Sequence, residues 1–257
     1  MSDVVSYEQH DAVAVVTINR PDSMNAFTTE LSGDLQLELE RAHHDDSVRA
    51  IVLTGEGRCF SAGADLKSGF EGRPVAGKLQ HEYRPVIFEV MNMPKPVIAA
   101  VNGSAAGIGM SLALSCDLML MADNAFLLSP FTTISLVPDG GLNWLLVKQL
   151  GYRRAFQLSV ESERIDAQRC VELGLANRAV AADELLDTAL EWARTLSQRA
   201  PLSITATKKA MRLASDGDWA SVFNLEAQLQ QQLAGSADNM EGVQAFFEKR
   251  SPDFQGK

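Results

Sequence analysis

Three short apolar runs, at residues 48–54, 96–101 and 117–121, constrain this chain most. Each is too brief and too uniformly apolar for an amphipathic helix, and each is stopped by turn or small residues, so each reads as a buried strand. The stretches between and before them have helical character. Residues 28–44 repeat Leu31, Leu35, Leu39 and Ala42 at spacings of three and four. Residues 79–93 end before Pro94 and Pro96, and residues 107–115 read as a third helix. Upstream, residues 12–18 are β-branched and stop at Asn19-Arg20-Pro21-Asp22, a turn signal. Strands alternating with helices predict an α/β core.

After Asp183 the pattern changes to helix throughout. Leu186, Leu190 and Ala193 form one stripe, flanked by Leu185, Ala189, Trp192 and Leu196. Three further helices are expected over 202–214, 219–233 and 237–249. The reading places a boundary near residue 197, with an α/β core over 1–197 and a helical region over 198–257. There is no sequence repeat and no long linker. The tail is too small to bury much by itself, so its apolar faces are expected against the core, another subunit, or both.

Composition removes several classes of function. The 257 residues carry a net charge of −10, which disfavours nucleic acid and anionic membrane as partners. Cys59, Cys116 and Cys170 include no C-x-x-C pair, and His10, His43, His44 and His81 have no H-E-x-x-H spacing. No metal site is expected, and adjacent His43 and His44 read as solvated surface pointing in different directions. No run of 18 apolar residues suggests a membrane span, and the polar residues 1–3 do not open a signal peptide, so the cytoplasm is the expected compartment.

Two small-residue segments follow buried strands. One is Cys59-Phe60-Ser61-Ala62-Gly63-Ala64-Asp65-Leu66, and the other is Val101-Asn102-Gly103-Ser104-Ala105-Ala106-Gly107-Ile108-Gly109-Met110-Ser111. Read as structure, they are tight turns and close helix–strand packing. Read as function, small side chains admit a ligand to the backbone, and a helix N-terminus offers unpaired N–H groups. Two such donors converging on one point would make an oxyanion hole. Gly107-Ile108-Gly109 lacks the third glycine of a dinucleotide fingerprint.

These segments, in this order, resemble the crotonase, or enoyl-CoA hydratase/isomerase, family. Asn19-Arg20-Pro21 with Asn25-Ala26, then Gly151-Tyr152-Arg153-Arg154-Ala155, Gly174-Leu175, and Glu241-Gly242 through Lys249-Arg250 extend the likeness over essentially the whole chain. The resemblance implies a ββα spiral core and a C-terminal helical trimerisation region. It also implies an acyl-CoA substrate, no cofactor beyond the coenzyme A of that substrate, and a homotrimer or dimer of trimers. By the match, the amides of Ala64 and Ile108 would hold the thioester oxygen. Ala62, Asp65 and Leu66 would line the adenine site, and Met24 and Ala26 would lie along the coenzyme A path. Phe246 and Lys249 would reach the nucleotide end from a neighbouring subunit, although by itself Lys249 reads as a solvated cation.

The departures from the family bear on the reaction. Hydratases of the family carry two glutamates, and Ser111 and Phe131 stand in their places here. One carboxylate remains at a family catalytic position, Asp139 in Val137-Pro138-Asp139-Gly140-Gly141. From the residues alone it is the N-cap of a helix beginning at Gly141. By the resemblance it is an acid/base, as in the isomerase branches. The wording around Asp139, with Arg250-Ser251-Pro252, is most similar to the phenylacetate-pathway ring-isomerase branch. The expected activity is therefore an enoyl-CoA or cyclic acyl-CoA isomerase. Hydration, arene-thioester dehalogenation and a catalytically silent CoA-binding scaffold are the alternatives. The acyl pocket walls are expected from residues 68–85 and 131–146.

Overall fold

The computed structural model describes residues 4–67 and 74–257. Residues 1–3, and positions 68–73 of the expected pocket wall, lie outside them.

The strands, in chain order, are β1 (Val5–His10), β2 (Val13–Ile18), β3 (Ala50–Gly55), β4 (Cys59–Ser61), β5 (Val97–Val101), β6 (Ser104–Ala106), β7 (Leu118–Ala122), β8 (Phe126–Leu128), β9 (Ile165–Asp166) and β10 (Arg178–Val180). They form two sheets. The larger has the order β1-β2-β3-β5-β7-β10, with only the β1–β2 hairpin antiparallel. The smaller has the order β4-β6-β8-β9, parallel except at β9.

The chain steps from one sheet to the other three times, β3 to β4, β5 to β6 and β7 to β8. Each step is a turn of two or three residues, and helix follows each time. This is a repeated ββα unit that leaves no sequence repeat, because each unit meets different neighbours. Val97, Ile98, Ala99, Ala100 and Val101 of β5 are all fully buried, as a strand covered on both faces requires.

Helix α1 (Thr29–His44) starts at Thr28, whose hydroxyl accepts from Leu31 N at 3.1 Å. It buries Leu31, Leu35, Leu39 and Ala42, the stripe the sequence spacing gives. The helical stretch after the undescribed segment runs as α2 (Val75–Lys78), a π turn at Leu79–Tyr83 and α3 (Arg84–Asn92). Adjacent histidines at the end of α1 differ from expectation. The His43 and His44 rings stack at 4.5 Å, and His43 Nδ1 meets Glu89 Oε1 at 2.5 Å, joining α1 to α3.

Helix α4 (Ile108–Ser115) is buried along its whole length. Helices α5 (Leu142–Leu150), α6 (Tyr152–Glu161) and α7 (Ala167–Leu173) follow, and α8 (Leu185–Ser197) buries Leu185, Ala189, Leu190 and Ala193. The remaining helices are α9 (Pro201–Ala214), α10 (Trp219–Leu233) and α11 (Ala237–Glu248). α9 and α10 bury no residue within the chain. α9 is nonetheless fastened to the core. Lys208 Nζ reaches Asp117 Oδ2 at 2.7 Å and Val90 O at 2.9 Å, and Arg212 reaches Asp117 Oδ1 at 3.1 Å. Among the described residues, no helix is long and apolar enough to cross a membrane.

Candidate active site

The ββα repeat gathers the candidate residues at one edge. Ala64 lies just beyond β4, Ile108 just beyond β6 and Phe131 just beyond β8. These three strands are parallel neighbours, so their C-terminal ends lie side by side. Crevices beyond such ends are the usual binding places of parallel sheets, because the chain there opens into loops with unpaired backbone groups.

The two small-residue loops touch. A Cβ added to Gly63 would lie 3.0 Å from Ala106 O and 3.6 Å from Gly107 Cα, so a side chain there would push the loops apart. On the far side, Phe27 brackets Ala64. Its N–H donates to Gly63 O at 2.7 Å, and its carbonyl accepts from Asp65 N at 2.9 Å. That pairing turns the Ala64 N–H away from Phe27. Ile108 is the first residue of α4, where an N–H has no acceptor within its own helix. Among the described residues, neither the Ala64 nor the Ile108 amide donates to a protein acceptor. The helix end adds partial positive charge beside the Ile108 amide.

Asp139 is held against this helix end. Ser111 Oγ donates to Asp139 O at 2.9 Å, and Leu142 N donates to the same carbonyl at 3.0 Å. Gly140 has φ +61, and a Cβ there would lie 2.5 Å from Ile108 Cδ1 and 3.0 Å from Ser111 Cβ. The aspartate loop therefore lies directly on the first turn of α4. The N-cap of α5 is Gly141, and no side chain caps that helix. This corrects the capping role read from the residues. Two glycines with positive φ turn the chain between Asp139 and the helix, leaving the carboxylate too far upstream to cap it. Asp139 Oδ1 is sealed from solvent and has no hydrogen-bond partner. Burial pushes the carboxyl from the ordinary 3.8 up to about 6.

The two residues in the glutamate places are buried and do not supply an acid. Ser111 is 0% exposed, with its hydroxyl engaged by Asp139 O and Gly107 O. Phe131 is buried, its ring edge over Gly107.

Around the first loop, the structure assigns work to residues that sequence reasoning left as a signature only. Asn25 is fully buried and donates to Cys59 O at 2.5 Å and Glu56 O at 2.9 Å, while its Oδ1 accepts from Arg20 N at 2.8 Å. Arg20 donates to Ala26 O and pairs with Asp65 Oδ2 at 3.2 Å. Ser61 Oγ donates to Asn25 O at 2.8 Å, and Ala62 N donates to Met24 O at 2.9 Å. Met24, Ala26, Ala62 and Asp65 are thus one hydrogen-bonded neighbourhood, and Leu66 projects from it with 71% exposure. Buried polar side chains that serve the backbone leave no periodic signal, which is why Arg20 and Asn25 escaped assignment.

Phe246 and Lys249 lie elsewhere. Phe246 is on α11, 79% exposed, beside Phe247, Leu202, Leu233 and Phe254. Lys249 is the exposed left-handed residue that ends α11. Neither touches the core residues above through any described hydrogen bond or ion pair of this chain.

The chain can be placed among known proteins. The family model for enoyl-CoA hydratase/isomerase matches residues 8–257. A probable enoyl-CoA hydratase of Rhodobacter capsulatus is 39% identical, over 98% of this chain and 98% of that protein. A 1,2-epoxyphenylacetyl-CoA isomerase of Escherichia coli K12 is 35% identical, over the full length of both. The crystal structure of an enoyl-CoA hydratase from Bacillus anthracis superposes with a TM-score of 0.93 at 31% identity, covering 99% of this chain and 100% of that one. With this fold and this likeness along its whole length, the chain belongs to the enoyl-CoA hydratase/isomerase, or crotonase, family.

Proposed function

We propose that this protein is an acyl-CoA isomerase that shifts a double bond along an enoyl or cyclic acyl group. Asp139 is its single acid/base, and the Ala64 and Ile108 amides form its oxyanion hole. The observation that carries the reading is the state of Asp139. It is a half-buried carboxylate with one unpartnered oxygen, raised to about 6 and held against the open N-terminus of α4.

In such a site Asp139 takes a proton from the acyl chain. The electron pair delocalises onto the thioester oxygen, where the two amides stabilise the charge. The same carboxylic acid then returns the proton two carbons away, so no water is consumed. Adding water would need a group to activate it and a second proton source. The Ser111 hydroxyl is already engaged, and Phe131 has nothing to offer. Coenzyme A would run past Met24, Ala26, Ala62, Asp65 and Leu66. Phe246 and Lys249 of a neighbouring copy would close its nucleotide end, in a homotrimer or dimer of trimers.

Hydration is the second reading, favoured by the name of the Rhodobacter capsulatus relative. Ultraviolet absorbance with crotonyl-CoA and with a 3-enoyl-CoA separates the two. We expect the 3-enoyl ester to be converted to its conjugated isomer and crotonyl-CoA to be hydrated poorly. Hydration near the general enzyme median of roughly 10 per second would contradict the proposal.

A further inference from the structure

Tyr83, the last residue of the π turn, is 3% exposed. Its ring packs edge-on against Phe27, with centroids 5.9 Å apart at 82°. Phe27 is the residue whose backbone brackets Ala64. The same helical stretch faces the aspartate loop, since Leu79, Gln80, Arg84 and Ile87 line a cavity of about 330 Å³ together with Gly140 and Gly141. Tyr83 therefore stands between the Ala64 loop and the loop that carries Asp139. Burial first, and then the charges of Asp139 and Glu82, push its phenol above the ordinary 10, so it remains a neutral donor at physiological pH.

No described residue hydrogen-bonds this phenol. Glu82 accepts instead from the Thr29 hydroxyl at 3.1 Å. Buried tyrosines ordinarily find a partner for the O–H, and leaving one without costs stability. Its neighbours in the same helical stretch, Leu79, Gln80, Arg84 and Ile87, line the cavity that Gly140 and Gly141 close from the other side. A buried donor kept unpaired among the described residues, between an oxyanion loop and a base, is placed to be satisfied by the ligand.

We propose that Tyr83 is a specificity-determining residue whose phenol donates a hydrogen bond to an oxygen on the acyl group. It favours acyl-CoA esters that carry a hydroxyl, carbonyl or ether oxygen over plain hydrocarbon chains. The proposal rests on Ala64, Ile108 and Asp139 marking the acyl site. It does not require that their chemistry be isomerisation.

Calorimetric binding of hexanoyl-CoA and of 3-, 4- and 5-hydroxyhexanoyl-CoA tests it on the whole protein, wild type and Tyr83→Phe. The phenylalanine keeps the ring against Phe27 and removes only the donor. Wild type should bind at least one hydroxylated ester roughly three- to tenfold tighter than hexanoyl-CoA. Tyr83→Phe should lose that preference while its affinity for hexanoyl-CoA stays the same. A wild type without preference, or a preference that survives Tyr83→Phe, overturns the proposal. These saturated esters are only bound, so the result is read independently of turnover, and a protein that fails to isomerise can still pass this test.

Discussion

An aspartate with one oxygen sealed from solvent and from every protein donor is ionised only at a cost. The folded protein holds the Asp139 proton more tightly than the unfolded chain does, about 6 against the ordinary 3.8. The stability that this tighter proton contributes is fully present below 3.8 and lost as pH rises through about 6. At about 1.4 kcal/mol per tenfold in proton affinity, the loss comes to about 3 kcal/mol. Asp139→Asn keeps the shape without the charge. We expect it to raise thermal stability at pH 7 by about 1–3 kcal/mol, with the gain shrinking towards pH 4. We also expect turnover to fall by about a hundredfold or more. For wild type, kcat/KM should decline tenfold per pH unit below about 6 and level off above it. Melting curves and rates across pH 4–8 check both expectations. Only the family resemblance marked Asp139 as a candidate acid/base, and the residues alone read it as a helix cap, which the structure corrects. That outcome depends on Gly140 and Gly141 both taking positive φ, which one sequence does not announce.

At the scale of elements, the site depends on close backbone approach. Helix α4 and the aspartate loop meet at Gly140, whose φ of +61 and lack of a Cβ permit contact with Ile108 and Ser111. Gly140→Ala should destabilise the fold by about 1–3 kcal/mol and move Asp139, lowering kcat by tenfold or more with smaller change in coenzyme A affinity. Unchanged kcat would mean that the loop is not what positions Asp139. The long apolar elements were legible in advance: β3, β5 and β7 from their buried runs, α1 from its spacing. The second sheet was not. β4, β6 and β8 have three residues each, too few for any period, and each pairs with segments far away in sequence. Tyr83 was hidden similarly, because in a helical stripe an aromatic that serves the pocket looks like one that serves the core.

At the scale of the molecule, the single chain leaves a large apolar surface uncovered on its tail. Trp219 is 76% exposed, Phe246 79% and Phe247 77%, with Phe223, Met240 and Val243 nearby in sequence and also exposed. A lone soluble protein seldom leaves that many large side chains in water. We expect light scattering at micromolar concentration to report a trimer or a multiple of it. A monomer alone would remove the partner through which Phe246 and Lys249 are proposed to act. That role was read from family likeness, since no spacing within one chain reveals a contact made by its neighbour.

The central claim is that one carboxylate, working against two amides, moves a proton along the acyl chain. Incubation of a 3-enoyl-CoA in deuterated buffer, followed by mass spectrometry and magnetic resonance, tests it most directly. Wild type should yield the 2-enoyl isomer, with deuterium entering the carbons that exchange protons with Asp139 and no hydrated product accumulating. Asp139→Asn should bind the ester and leave it unlabelled. Equal labelling by the two proteins, or 3-hydroxyacyl-CoA as the main product of wild type, would contradict the account.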